Sequence, residues 1–199
     1  MRRSVMNDIP DWIGWPKFLE YYEKAENAPY PYDSKLYFTT IFETGCRESE
    51  VIKLTPDMFK WNAEAVMVYN VPVLKKNKRE TRNITIRLDE KNPLGFDLID
   101  FVEDCDTDFL LPGLEKFTRR KMLHRHVSPK TVYNRISEVH KDMWPQALRA
   151  YRASMLVFER NFSVQDLVRW FEWASADMAV HYTKTKDIAH RMGIKNIPK

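Results

Sequence analysis

At 199 residues, 44% hydrophobic and with a net charge of +4, the chain is long enough to bury one sizeable core and too mildly basic for overall charge to identify a partner; we read one main domain. Its two cysteines, Cys46 and Cys105, argue against a disulfide framework or a zinc knuckle and suit a reducing compartment. No apolar run approaches the roughly 20 residues that cross a bilayer, and residues 1–12 lack a signal peptide's apolar stretch, so a soluble, cytoplasmic protein without a membrane partner is expected.

In chain order, "DSKLYFTTIFETG" (33–45) predicts a helix capped by Asp33 and stopped by Gly45, with Leu36, Phe38, Ile41 and Phe42 as its apolar stripe. A short helix, "ESEVIKL" (48–54), follows. "AVMVYNVPVL" (65–74) and "RNITIRL" (82–88) are rich in β-branched residues and flank a lysine-rich turn, which predicts a β-hairpin with Lys75, Lys76, Lys78 and Arg79 at its tip. Helical spacing returns in "PLGFDLIDFVEDC" (93–105). It returns again in "SPKTVYNRISEVHKDM" (128–143), with Ser128 as cap and Pro129 in the first turn, and a long helix, "QALRAYRASMLVFERNF" (146–162), comes next. The expected class is mainly α with a small β-hairpin or sheet, an α+β fold.

Positive charge is gathered in residues 75–87 and 116–126, with Lys184 and Lys186 behind Tyr182. Such runs form solvated faces or phosphate-tracking surfaces. The "HRH" at 124–126, with His140 distant, has no known zinc spacing and reads as a surface or DNA-facing pair rather than a metal site. Ser163 and Asp166 form a capping pattern ahead of Leu167, Val168, Trp170 and Phe171. Trp173 and Tyr182 are nine positions apart, which at about 100° per residue places them on opposite sides of one continuous helix. A break at Ser175 that caps a new helix, "ADMAVHYTKT", lets the two converge.

With these segments in order, "TGCRESEVIKL" (44–54) resembles the first arginine box of the tyrosine recombinase (phage integrase) family, "PQALRAYRAS" (145–154) its second, and "WASADMAVHY" (173–182) the end of its catalytic domain. The wording of "ALRAYRAS" and "FEWAS" is most similar to archaeal virus and plasmid integrases. The resemblance implies a catalytic domain over residues 31–186, with 1–30 as an N-terminal extension or linker and 187–199 as a C-terminal tail, for which an exchange segment that docks on a neighbouring protomer and a disordered end are equal alternatives. Residues 1–30 are too few for the helical clamping domain that usually precedes this one in the family, so the expectation is either a catalytic domain cut from a longer integrase or a naturally minimal version.

Carried over position by position, the resemblance makes Arg47 and Arg149 the two arginines, Glu50 the acidic companion, Trp173 the late His/Trp position and Tyr182 the nucleophile. The hairpin lysine falls best on Lys76, with Lys75 and Lys78 as alternatives. Gln146 stands where the family usually has histidine, a departure that weakens acid–base roles there. The implied reaction is DNA strand transesterification through a 3′-phosphotyrosine, needing neither metal nor nucleotide cofactor. Arginines suit the phosphate because their planar fork binds two oxygens at once. Lys76 would protonate the leaving 5′-oxygen, Trp173 would donate its indole N–H to the phosphate, Gln146 would position it, and Glu50 would orient Arg47. Lys75, Lys78, Arg79, Arg82 and Arg152 are candidates for backbone contacts to double-stranded DNA. Assembly into a tetramer on DNA, with weak association or a monomer when free, is implied too. A type IB topoisomerase relative and a noncatalytic DNA-binding relative are the alternatives, and Gln146 points towards the second.

Overall fold

The computed structural model describes residues 12–75, 78–115 and 120–183; the side chains of residues 75, 78, 79 and 181–183 lie outside that description. Helix α2 (Pro31–Thr44) is the centre of the fold. The sequence predicts one apolar stripe here, but ten of its residues are buried, Glu43 and five hydroxyl side chains among them. Thr40 Oγ1 donates to Leu36 O at 2.7 Å and Thr44 Oγ1 to Thr40 O at 2.6 Å, so these two hydroxyls are satisfied within the helix. Pro31 in the first turn starts the helix ahead of Asp33, whose carboxylate there favours the dipole instead of capping. Gly45 ends it at φ 58°, as expected from sequence.

Around α2 pack α4 (Pro93–Glu103), α5 (Pro129–Val139) and α6 (Pro145–Arg160). Ser128 caps α5 by accepting from Thr131 N. Residues 1–30, expected as an extension or linker, are described from Trp12, and there they join the same core. In α1 (Trp15–Glu23), Phe18 is fully buried, 4.4 Å from the Phe42 ring and 5.6 Å from Tyr151. The hydrophobic stripe of α1 is therefore spent on α2 and α6.

The expected hairpin is formed by β2 (Ala65–Lys75) and β3 (Lys78–Arg87), antiparallel, with Lys75 opposite Lys78 at the tip. Val66 and Val68 face the core, then Val71 and Val73 do, and the odd step between the pairs is a bulge at which Asn70 takes φ 56°. Two features escaped the sequence reading. A short edge strand, β1 (Phe59–Trp61), pairs with β2, and β4 (Pro112–Leu114) pairs with β5 (Lys121–His126) as a second small sheet. The second of these lies in the basic stretch read only for its charge. His124 Nδ1 pairs with Asp108 at 2.8 Å, whereas His126 Nδ1 meets Val127 O, so the two rings take separate partners.

The last two helices are α7 (Val164–Phe171) and α8 (Ala176–Thr183). Ser163 and Asp166 form the expected reciprocal cap, Asp166 N donating to Ser163 Oγ at 3.2 Å and Ser163 N to Asp166 Oδ2 at 2.9 Å. The break before Tyr182 is real: Glu172 is left-handed at φ 52° and α8 opens after Ser175. Helix α8 packs on α6 and α7 through the fully buried Ala179. No described helix is long and apolar enough to cross a membrane.

Candidate active site

The turn between α2 and α3 (Glu48–Val51) carries Arg47, which is α3's N-cap residue in extended conformation. Glu50, in the third helical position, folds back so that Oε2 accepts from Arg47 N and Oε1 from Arg47 Nη1, both at 2.9 Å. The same Oε1 accepts from Leu74 N at 3.2 Å. This bond fastens the hairpin strand one residue before Lys75. From the opposite side α6 delivers Arg149, whose Nη1 lies 4.0 Å from Glu50 Oε2 and donates to Gly45 O. One carboxylate thus gathers both arginines and the base of the lysine turn.

Burial pushes the Glu50 carboxyl upward, but the Arg47 amide, the Arg149 and Arg47 charges and the Leu74 amide outweigh it and hold its pKa below the ordinary value. A carboxyl with a depressed folded pKa contributes stability that is present above its unfolded pKa and lost as pH falls through the folded one. Unfolding free energy is expected to decline as pH drops below the ordinary value of 4.5, and Glu50→Gln should flatten part of that decline. Urea melts between about pH 3 and 7 measure this.

Behind Arg149 stands an aromatic wall. Phe171 and Trp173 are stacked at 4.4 Å and 7°, and the Arg149 guanidinium carbon is 4.7 Å from the Phe171 ring and 5.8 Å from that of Trp173. The wall fits closely because Gly45 has no side chain: a Cβ there would sit 2.5 Å from Phe171 Cε1 and 2.7 Å from Trp170 Cζ3. Arg47 forms the rim, with its side chain 34% exposed, and Arg149 the floor, at 1%.

Of the residues singled out by sequence, Arg47, Glu50, Arg149 and Trp173 are therefore brought together. Gln146 is half-buried on α6, one turn before Arg149. Tyr182 lies on α8 one turn beyond Ala179, and its side chain is outside the described residues. Lys76 is outside them altogether, and of Lys75, Lys78 and Arg79 only the strand positions are described.

Two expected DNA contacts are corrected. Arg152 is 2% exposed and paired with Glu43 Oε2 at 3.0 Å beneath the Phe42 and Trp170 rings, so it stabilises the core and does not face solvent. Arg82 is 5% exposed and donates inward, to Thr44 O at 3.0 Å and to Trp170 O. Phe171 and Glu43 were missed as members of the site's support. For Arg82 a signal was present: it shares the inward register of β3 with Ile84 and Ile86.

The chain is similar in structure to XerA recombinase, at 18% identity and a TM-score of 0.65 over 100% of this chain and 67% of that one. It is similar to XerH site-specific recombinase bound to a palindromic difH substrate in a post-cleavage complex, at 14% identity and a TM-score of 0.64 over 97% and 55%. A lambda integrase dimer bound to a COC′ core site follows at 16%, 0.63, 100% and 53%. The chain spans about half the length of the XerH and lambda integrase chains. No protein-family model and no curated protein matches the sequence. With the ordered arginine turn, hairpin, arginine helix and terminal helix in place, the chain has the α+β fold of a tyrosine recombinase catalytic domain.

Proposed function

We propose that this chain cuts and rejoins double-stranded DNA as the catalytic domain of a site-specific recombinase, with Tyr182 as nucleophile. The observation that carries the reading is the Glu50 junction, whose carboxylate binds Arg47 and the base of the lysine hairpin and faces Arg149 at 4.0 Å. The DNA complexes of XerH and lambda integrase, which share the fold, support double-stranded DNA as the partner.

In this reading the Tyr182 oxygen attacks a backbone phosphorus and loses its proton to solvent. The bond from phosphorus to the 5′-oxygen breaks, and Lys76, or one of its neighbours Lys75 and Lys78, protonates the departing oxygen. A phenol with a reference pKa near 10 needs cationic neighbours to act near neutral pH, and Arg47 and Arg149 supply them. They also bind the two non-bridging oxygens as charge redistributes in the transition state. The Trp173 indole and the Gln146 amide hold the same phosphate, the amide without exchanging protons. Lys75, Lys78 and Arg79 at the hairpin tip follow the DNA backbone, and four copies assemble on paired sites. Because Arg149 is buried, contact with a phosphate requires its cover to move, and DNA binding supplies that movement.

A nicked duplex whose cleaved fragment diffuses away traps the covalent state. Wild type should accumulate a denaturation-resistant protein–DNA adduct and Tyr182→Phe none. Supercoil relaxation without joining of paired sites would mark a topoisomerase instead. DNA binding with no adduct from wild type would mark a noncatalytic relative.

A further inference from the structure

We propose that Arg82 is a positioning residue that braces the α7–α8 junction, and with it Trp173 and the helix of Tyr182, against the turn that carries Arg47. The inference rests on the proposed function for its kinetic part and on geometry alone for the brace. Arg82 sits on β3 of the lysine hairpin, opposite Val71. Its guanidinium reaches two helix ends that are far apart in sequence: Nη2 donates to Thr44 O at 3.0 Å, the last residue of α2, and Nη1 donates to Trp170 O in the last turn of α7.

Helix C-termini leave their final carbonyls without partners inside the helix, and the dipole makes that end attractive to a cation. A planar guanidinium can serve two such ends at once; an ammonium cannot hold that geometry. Stacking adds to the constraint. The Arg82 guanidinium carbon is 5.3 Å from the Trp170 ring and 5.8 Å from that of Phe171, and the Phe171 ring lies 4.7 Å from the Arg149 guanidinium carbon. Two buried arginines, one from the hairpin and one from α6, thus contact the same ring, against which Trp173 is stacked.

The brace acts where the backbone needs it. After Trp170 the chain turns through the left-handed Glu172 before α8 begins, and the Glu172 and Trp173 amides donate hydrogen bonds there to Arg169 O and Val168 O. Without Arg82, Trp170 O would lose its charged donor and Thr44 O would be left buried beneath the aromatic pair, so the junction would loosen while the cores of α2 and α6 stayed packed. A shift of about 1 Å in a reacting group costs on the order of 100-fold in rate, which sets the scale of the expected effect.

The test compares wild type with Arg82→Met and Arg82→Lys in three measurements. Amide hydrogen exchange at Glu172 and Trp173 should accelerate about tenfold or more in Arg82→Met, with α5 unchanged. Single-turnover adduct formation should fall about 100-fold in Arg82→Met and less in Arg82→Lys. The slope of DNA affinity against salt should stay unchanged, because a buried guanidinium releases no counterion. Unchanged exchange at the junction overturns the brace. Unchanged adduct kinetics beside accelerated exchange overturns the positioning role. A salt slope reduced by about one makes Arg82 a phosphate contact and overturns both. If wild type itself forms no adduct, the proposed function fails and the positioning role with it, and the exchange data still decide the brace.

Discussion

Arg149→Met is expected to lower the rate of covalent attachment to nicked DNA about 10³-fold while leaving the fold intact. The substitution keeps an unbranched apolar stem against Phe171 and removes the guanidinium that reaches Gly45 O and faces Glu50. Glu50 would lose one cationic neighbour but keep the Arg47 side chain and two main-chain donors, so the junction around it survives. Arg149→Lys retains the charge and loses the planar fork, and an intermediate loss of about 10²-fold follows. Single-turnover kinetics at saturating protein, with DNA affinity measured separately, distinguish a lost transition-state contact from weaker binding. A loss confined to affinity would place Arg149 in DNA binding alone.

Arg152→Met is expected to destabilise the protein by about 3–5 kcal/mol, a large part of a typical domain's stability. The cause is Glu43. Its carboxylate is fully buried and faces Arg152 at 3.0 Å, with Asn92 Nδ2 as a second donor at 3.1 Å. Burial pushes the Glu43 carboxyl up and the Arg152 guanidinium down, and the opposite charge of each partner works against that shift in the other. Removing one leaves an uncompensated charge in the core. The double variant Glu43→Met with Arg152→Met should recover most of the loss, because two apolar side chains replace a pair whose desolvation offsets its attraction. Urea unfolding with an unchanged m-value would show this. A single variant within about 1 kcal/mol of wild type would mean that water reaches Glu43.

Local chemistry was legible in the sequence wherever a residue type has one favoured backbone position. Gly45, the Ser163 and Asp166 pair and Ser128 marked helix ends that the structure keeps. A break ahead of Tyr182 followed from the helical period once Trp173 and Tyr182 were expected to converge; the chain leaves α7 at Glu172, ahead of Trp173, and α8 opens after Ser175. Short strands were not legible: β1 and β4 have three residues each, too few for alternation to register. Charged side chains were the other source of error. In sequence Arg82 and Arg152 read as surface groups because arginine is mostly exposed, yet each is buried against acceptors from segments distant in the chain. Sequence does not show that Glu43, in the last turn of α2, will need a partner until that helix is known to be central. The gathering of Arg47, Glu50 and Arg149 was expected only through the family resemblance, since the first and last are separated by about half the chain.

Peptide mapping of the trapped protein–DNA adduct tests the reading most directly. Digestion followed by tandem mass spectrometry is expected to find the nucleotide on the hydroxyl of Tyr182 alone, with Arg149→Met giving the same peptide at far lower yield. Attachment to another residue, or an intact phosphodiester after prolonged incubation with bound wild-type protein, would contradict it.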